Sequence, residues 1–157
     1  MKALLAMLML LPCLAMAQDL PEQFAAAGVA VESGNVTGWG TYAKKITGPV
    51  YSLTTYDITR ADTLAPIGLN TLTQLKSQAR TGLAVYVKDF GPFRVFGLAD
   101  AGVAADAQTA GGSFSGGAMV AYQIKDSGWG IVVPIRVLKN SGGETTLIYE
   151  IGFGWGK

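Results

Sequence analysis

The last segment of the chain, from Thr145 to Trp155, alternates between large apolar residues and small or charged residues. The apolar set is Leu147, Tyr149, Ile151, Phe153 and Trp155, and the alternate positions hold Ile148, Glu150, Gly152 and Gly154. Because successive side chains of a strand point to opposite faces, the pattern predicts a strand with one apolar face and one small, polar face. The apolar face ends in aromatic residues, which is typical of a strand that reaches a membrane interface. The segment therefore favours a sheet that separates an apolar medium from a polar interior.

A two-residue period recurs along much of the chain and predicts an all-β fold. We predict eight strands, separated by turns rich in glycine, asparagine, aspartate and serine, at Phe24–Ser33, Val36–Ala43, Val50–Arg60, Thr71–Lys88, Phe93–Ala104, Gly112–Lys125, Gly128–Lys139 and Thr145–Trp155. In the fourth segment Gln78 and Arg80 fall on one face and Leu83 on the other, although helical spacing leaves a helix over Leu69–Ala79 as an alternative. In the seventh segment Pro134 lacks the amide donor of a sheet and predicts a bulge or a local break.

The start of the chain has the features of a secretory signal peptide. Lys2 supplies a positive charge, an apolar core extends to Leu14, and Ala15 and Ala17 are the small residues that precede a cleavage site. The apolar run is too short to span a membrane comfortably, which makes a retained anchor the weaker alternative. We therefore predict a signal peptide over residues 1–17 and a single domain over residues 18–157.

The composition of this domain excludes several classes of function. The single cysteine, Cys13, lies in the predicted signal peptide, and the chain has no histidine. Disulfide bonds, the usual zinc and copper sites and a cysteine or histidine nucleophile are thereby excluded. Without Lys2, 11 basic residues balance 11 acidic ones, and no basic stripe indicates nucleic-acid binding. We therefore predict no catalytic residues, no cofactor-binding residues, no metal site and no nucleic-acid partner.

The domain has no apolar run long enough for a transmembrane helix, so a membrane-embedded form must be a closed barrel. An even number of strands places both chain ends at one rim, and several aromatic residues fall near that rim. We predict that they form an aromatic girdle at a membrane interface, made of Phe24, Tyr42, Tyr51, Phe93, Trp129, Phe153 and Trp155. The alternative is a soluble, lipocalin-like barrel in which these aromatic residues close the bottom.

These features together resemble the small eight-stranded outer-membrane barrels of Gram-negative bacteria, such as the transmembrane domain of outer membrane protein A and the opacity-type proteins. The last strand resembles their C-terminal insertion signal, with Tyr149, Ile151, Phe153 and Trp155 at the alternating apolar positions. The resemblance implies an eight-stranded antiparallel up-and-down transmembrane β-barrel in a bacterial outer membrane. It also implies outer-membrane lipid and the barrel-assembly machinery as partners. Both termini are expected in the periplasm, and surface loops near residues 61–70, 105–111 and 140–144 are expected to bind a partner.

The faces opposite the apolar ones carry the charges that we expect in the barrel interior. This inward set is Glu32, Asp57, Gln74, Lys76, Gln78, Arg80, Lys88, Arg94, Asp100, Gln123, Lys125, Arg136 and Glu150. Hairpin geometry places Arg80 diagonally across from Asp100, and Arg136 diagonally across from Glu150. Since inward side chains fill an eight-stranded barrel, we predict buried ion pairs that plug the lumen.

Three other functions remain open from the sequence. The first is a narrow pore for protons or small solutes through the same polar interior. The second is a secreted soluble barrel that binds a small apolar ligand, which would require an apolar interior. The third is a hydrolase that uses carboxylates among Asp57, Asp100 and Glu150. Because no nucleophile motif accompanies these carboxylates, we predict that the protein is not an enzyme.

Overall fold

The structure is a computed structural model that describes residues 20–32, 35–60, 75–105, 110–124, 128–141, 143 and 145–156. The strands are β1 (Gln23–Glu32), β2 (Asn35–Thr47), β3 (Val50–Arg60), β4 (Leu75–Phe90), β5 (Phe93–Ala105), β6 (Ala110–Gln123), β7 (Trp129–Asn140) and β8 (Thr145–Gly156). Each strand pairs antiparallel with the next, and β1 pairs with β8. The prediction of an eight-stranded antiparallel up-and-down barrel is therefore confirmed. The predicted signal peptide, residues 1–17, lies outside the described residues.

Most predicted strand boundaries agree with the structure within a few residues. Residues Leu75 to Ala79 belong to β4, so the alternative helix is wrong there, and the residues before Leu75 lie outside the described part. β2 continues to Thr47, beyond the predicted end at Ala43. Within the described residues, no helix has the length and apolar character to cross a membrane.

The register of the strands defines the tilt of the barrel wall. Starting from Ala25 on β1, the row that leads from each residue to its register partner on the next strand ends at Thr145 on β8. Ala25 itself pairs with Trp155, ten residues further along β8. This offset requires the strands to tilt by about 35–45° from the barrel axis. A barrel of eight tilted strands is just wide enough for inward side chains to fill its interior.

The outer wall is apolar on the faces that the sequence predicted. In β7, Ile131, Ile135 and Val137 are exposed, whereas the alternate residues are buried. In β8, Leu147, Tyr149, Ile151 and Phe153 are exposed, and Ile148 and Glu150 are buried. Pairing between β7 and β8 stops after Val132 with Gly152 and resumes at Ile135 with Tyr149 without a change of register. The gap includes Pro134, where the sequence predicted a break.

The interior near the chain ends is filled by aromatic side chains. Phe24 and Tyr51 lie with ring centroids 5.4 Å apart, and each also contacts Phe96. Tyr86 also contacts Phe96, with ring centroids 5.9 Å apart. The hydroxyl of Tyr51 donates to the backbone oxygen of Pro21 at 2.8 Å, which ties the segment before β1 to this layer. We call these four rings the aromatic floor.

The aromatic floor corrects the predicted girdle at two positions. Phe24 is 8% exposed and Tyr51 is 0% exposed, so both point into the barrel. A closed barrel needs large side chains to fill its end, and these two residues share the inward phase of β1 and β3. Tyr42, Phe93, Trp129 and Phe153 are exposed on the outside near the same end, and Trp155 is half-buried there.

Two members of the predicted inward set also lie elsewhere. The register between β4 and β5 shifts between Tyr86 and Lys88, and this bulge moves Lys88 out of the inward phase. Its ammonium nitrogen lies 5.3 Å from the ring centroid of Phe90, and the residue is exposed. Gln123, the last residue of β6, is also exposed because it lies at the rim. The side chains of Glu32, Gln74 and Lys125 lie outside the described residues.

Candidate functional site

Five charged side chains from five strands meet at one level inside the barrel. They are Asp57 on β3, Arg80 on β4, Asp100 on β5, Arg136 on β7 and Glu150 on β8, and all five are buried. The contacts along neighbouring strands are diagonal, two residues away from the register partner. Such neighbours are about 7–8 Å apart at the backbone, a distance that arginine spans. We call these five residues the charge chain.

Arg80 joins two carboxylates of the charge chain. Its Nη2 contacts Oδ2 of Asp57 as a direct ion pair. Its Nε lies 3.1 Å from Oδ1 of Asp100, close enough for an ion pair but without the angle of a hydrogen bond. Its Nη1 donates to the side-chain oxygen of Gln78 at 2.6 Å. The guanidinium is therefore surrounded by acceptors on three sides, and the predicted neighbours Arg80 and Asp100 are in contact.

Arg136 makes the other half of the charge chain. Its Nε and Nη2 donate to Oε2 of Glu150 at 2.9 and 2.7 Å, and the predicted neighbours are again in contact. Its Nη1 lies 3.5 Å from Oδ2 of Asp100, a weaker contact. Arg136 therefore holds Glu150 tightly and reaches Asp100 at the limit of an ion pair.

Asp100 is the centre of the charge chain because it contacts both arginines. Ser115 on β6 donates to its Oδ1, and Thr55 on β3 lies 3.4 Å from its Oδ2. The order of contacts is therefore acid, base, acid, base, acid, from Asp57 to Glu150. The sequence predicted two separate pairs and did not connect them. Asp57 pairs with Gln78 and is thus diagonal to Arg80, but no short turn joins β3 to β4, so this register could not be read from the sequence.

Two glycines allow the strands to approach closely opposite members of the charge chain. Gly82 lies opposite Asp100 in the register, and Gly117 lies opposite Arg136. A β-carbon at either glycine would fall 2.0 Å from a carbonyl oxygen of the adjacent strand, which is a severe overlap. The missing side chain therefore lets neighbouring strands approach while the long side chain opposite occupies the interior.

Apolar side chains enclose the charge chain on both sides along the barrel axis. Leu138 and Ile148, one inward position beyond Arg136 and Glu150, are buried towards the loop end. Towards the chain ends, Leu53 and Leu98 lie between the charge chain and the aromatic floor. The charges are therefore removed from water and depend on one another for compensation.

The charge chain is a set of ion pairs and hydrogen bonds that compensate one another. Its carboxylates contact guanidinium or hydroxyl groups, and it includes no cysteine or histidine. In the part of the chain that the structure describes, no group of three or more histidine, cysteine, aspartate or glutamate residues is placed to hold a metal ion. The arrangement can fix the relative positions of the five strands that carry it.

A pocket at the end of the barrel that carries the termini is the other candidate site. It has a volume of about 90 Å³ and is lined by Phe24, Phe96, Met119 and Val132, with Arg94 at one side. Ligand pockets usually have volumes of about 300–1,000 Å³. The pocket is thus too small for the ligand that a lipocalin-like barrel would hold.

The closed up-and-down barrel with an apolar wall and a charged interior has the architecture of small transmembrane β-barrels. Among solved structures, the chain is similar to the backbone structure of the outer membrane protein Ail of Yersinia pestis in a phospholipid bilayer nanodisc. The two share 12% sequence identity with a TM-score of 0.57, over 86% of this chain and 98% of that chain. No protein-family model and no curated protein matches the chain. The resemblance to small outer-membrane barrels is therefore confirmed at the level of the fold.

Proposed function

We propose that this protein is a structural barrel of a bacterial outer membrane, closed by its own side chains, that presents loops at the cell surface. The observation that carries the proposal is the contrast between the two sides of the wall. The outside exposes large apolar residues on strand after strand, whereas the interior holds five charged residues. A soluble barrel has the opposite distribution, because water contacts its outer face.

The exposed apolar residues are too many and too evenly distributed for a local binding patch. They are Val29, Val36, Tyr42, Ile58, Leu83, Val103, Phe114, Ile131, Ile135, Val137, Leu147, Tyr149, Ile151 and Phe153, with others at the rims. A hydrocarbon layer that surrounds the barrel accounts for this distribution on every side at once. The similarity of the fold to Ail, whose structure was determined in a bilayer, supports the same proposal.

The location is tested by expression with the N-terminal segment intact, followed by cell fractionation. We expect a product cleaved after Ala17 in the outer-membrane fraction, folded only with lipid or detergent. A monomer that stays folded and soluble without detergent would refute the membrane proposal and favour the secreted barrel. Intact mass of the exported product tests the cleavage site independently, because a product that retains Lys2 has kept its signal segment.

The topology is tested by protease added to intact cells. The turns at Gly48–Pro49 and Gly91–Pro92 lie at the end of the barrel that carries the termini, which we place in the periplasm. We expect cleavage in the loops between β3 and β4 or between β5 and β6, and protection of a tag inserted after Gly91. Cleavage at that tag in intact cells would show the inverted orientation. Binding partners are then sought with the loop between β3 and β4 replaced by a short glycine and serine linker.

Whether the bore is closed distinguishes a structural barrel from a narrow pore. Arg80, Asp100, Arg136 and Glu150 occupy the interior with the aromatic floor beneath them. We expect no single-channel conductance from the purified barrel in a planar bilayer. Stable channels of appreciable conductance would refute the closed bore and support the pore.

A further inference from the structure

The charge chain contains an uneven number of charges. Three carboxyl groups, of Asp57, Asp100 and Glu150, face two guanidinium groups, of Arg80 and Arg136. With every group ionised, the buried assembly would have one excess negative charge. An uncompensated charge removed from water is costly, and in proteins such a group becomes neutral instead.

We infer that the charge chain holds one exchangeable proton, on one of its two terminal carboxyl groups, so that the five residues together are neutral. Asp100 is excluded as the site because it contacts both arginines and accepts from Ser115. Asp57 and Glu150 each contact a single arginine. A proton on either of them leaves two carboxylates to balance two guanidinium groups.

An unpartnered oxygen at one end of the charge chain supports this inference independently of the charge count. Oδ1 of Asp57 is buried without a hydrogen-bond partner, and the side chain is only 4% exposed. A buried carboxylate oxygen without a hydrogen-bond partner loses its hydration without compensation, which destabilises the ionised form. The cost is smaller for a neutral carboxyl group. A metal ion is not indicated, because the described residues include no suitable group of ligands.

The surroundings of the charge chain provide one further cation that must be considered. Lys76 on β4 is half-buried two positions above Gln78, and its ammonium group is not within ion-pair distance of any described carboxylate. β2 contributes Trp39 and Thr41 to the interior at this level, and β6 contributes Ser113 and Ser115. The described inward side chains of β1 carry no charge. Apart from Lys76, the neighbouring groups that the structure describes therefore leave the imbalance uncorrected.

The inference is tested at neutral pH by infrared spectroscopy of the folded barrel in vesicles of an ether-linked phosphatidylcholine, which has no ester carbonyl to mask the band. We expect the carbonyl stretch of a protonated carboxylic acid, with a shift after exchange into deuterated water. Asp57→Asn and Glu150→Gln should each remove the band, since either change leaves two acids for two arginines. Asp89→Asn, at the exposed end of β4, is the matched control and should retain the band.

A thermodynamic measurement gives a second, independent test. A barrel that holds one proton more than its unfolded chain loses stability as the pH rises above the range in which free carboxyl groups titrate. The folding equilibrium constant should fall about tenfold for each pH unit near neutrality, and this slope should vanish in Asp57→Asn. A wild-type protein with no band and no slope would overturn the inference. If a band appeared only in Lys76→Gln, that lysine would be the compensating charge and the inference would also fail.

Discussion

Removal of Arg136 should be far more damaging than removal of its partner Glu150. Met at position 136 leaves Glu150 without a cation and leaves Asp100 with Arg80 alone. Three acids then face one arginine in a space that excludes water. Breaking a buried ion pair in this way typically costs about 3–5 kcal/mol, and we expect Arg136→Met to lie in that range.

Glu150→Gln should cost much less, because three features limit its effect. The amide oxygen still accepts a hydrogen bond from Arg136, Asp100 remains within 3.5 Å of that arginine, and two acids then balance two bases. The loss in free energy of unfolding is at most the difference between a charged and a neutral hydrogen bond, about 1.5 kcal/mol. The sequence alone, which pairs Arg136 with Glu150 in isolation, predicts equal costs for the two changes.

The assay is equilibrium unfolding in urea with the barrel folded in lipid vesicles, for the two single variants and the double variant. The double variant Arg136→Met with Glu150→Gln should recover much of the loss, because the unpaired carboxylate is gone. Equal free energies of unfolding for the two single variants would refute the connected chain of five charges. A larger loss for Glu150→Gln would also refute it.

Other predictions concern the wall and the aromatic floor. Ile151→Arg, on the outer face near mid-height, should lower the free energy of unfolding in lipid by roughly 2–4 kcal/mol, whereas Ile46→Arg near the rim should lower it by about 0–1 kcal/mol. Similar losses for the two variants would contradict a lipid-facing wall. Gly117→Ala should lower the free energy of unfolding by about 1–3 kcal/mol because its β-carbon would lie 2.0 Å from a carbonyl oxygen, whereas Gly116→Ala, with 3.8 Å of space, should be neutral. Tyr51→Phe removes a 2.8 Å hydrogen bond to the segment before β1 and should cost about 1 kcal/mol, with faster amide exchange in that segment.

The outer face of the barrel was predictable for strands in which one face is clearly apolar and the other is small or polar. Ile131 and Val137 on β7 and Ile151 on β8 point outward as their alternation indicates. Phe24 and Tyr51 were misassigned because both faces of β1 and β3 contain small or apolar residues near that end. The phase there is decided by which side chains fill the closing bore, and this depends on all eight strands together.

The charge chain was only half predictable for a related reason. Hairpin neighbours such as Arg136 and Glu150 follow from the local turn, whereas the contact of Arg136 with Asp100 joins β7 to β5 across the interior. This contact depends on the shear of the closed barrel, which no single hairpin contains. The bulge between Tyr86 and Lys88 was equally invisible, because one extra residue leaves no mark in the alternation before it.

The pairing of β1 with β8 determines how this protein can be assembled. All other pairings join strands that are consecutive in sequence. The pairing of β1 with β8, the seam of the barrel, joins the two ends of the chain and can form only after all the other strands have paired. Until then, two rows of backbone amide and carbonyl groups have no partners, which hydrocarbon does not tolerate. An open sheet also separates Arg136 from Asp100 and Thr55, which it contacts across the interior of the closed barrel. Insertion is therefore expected to be all-or-none, with partly formed sheets kept out of the bilayer until the seam closes.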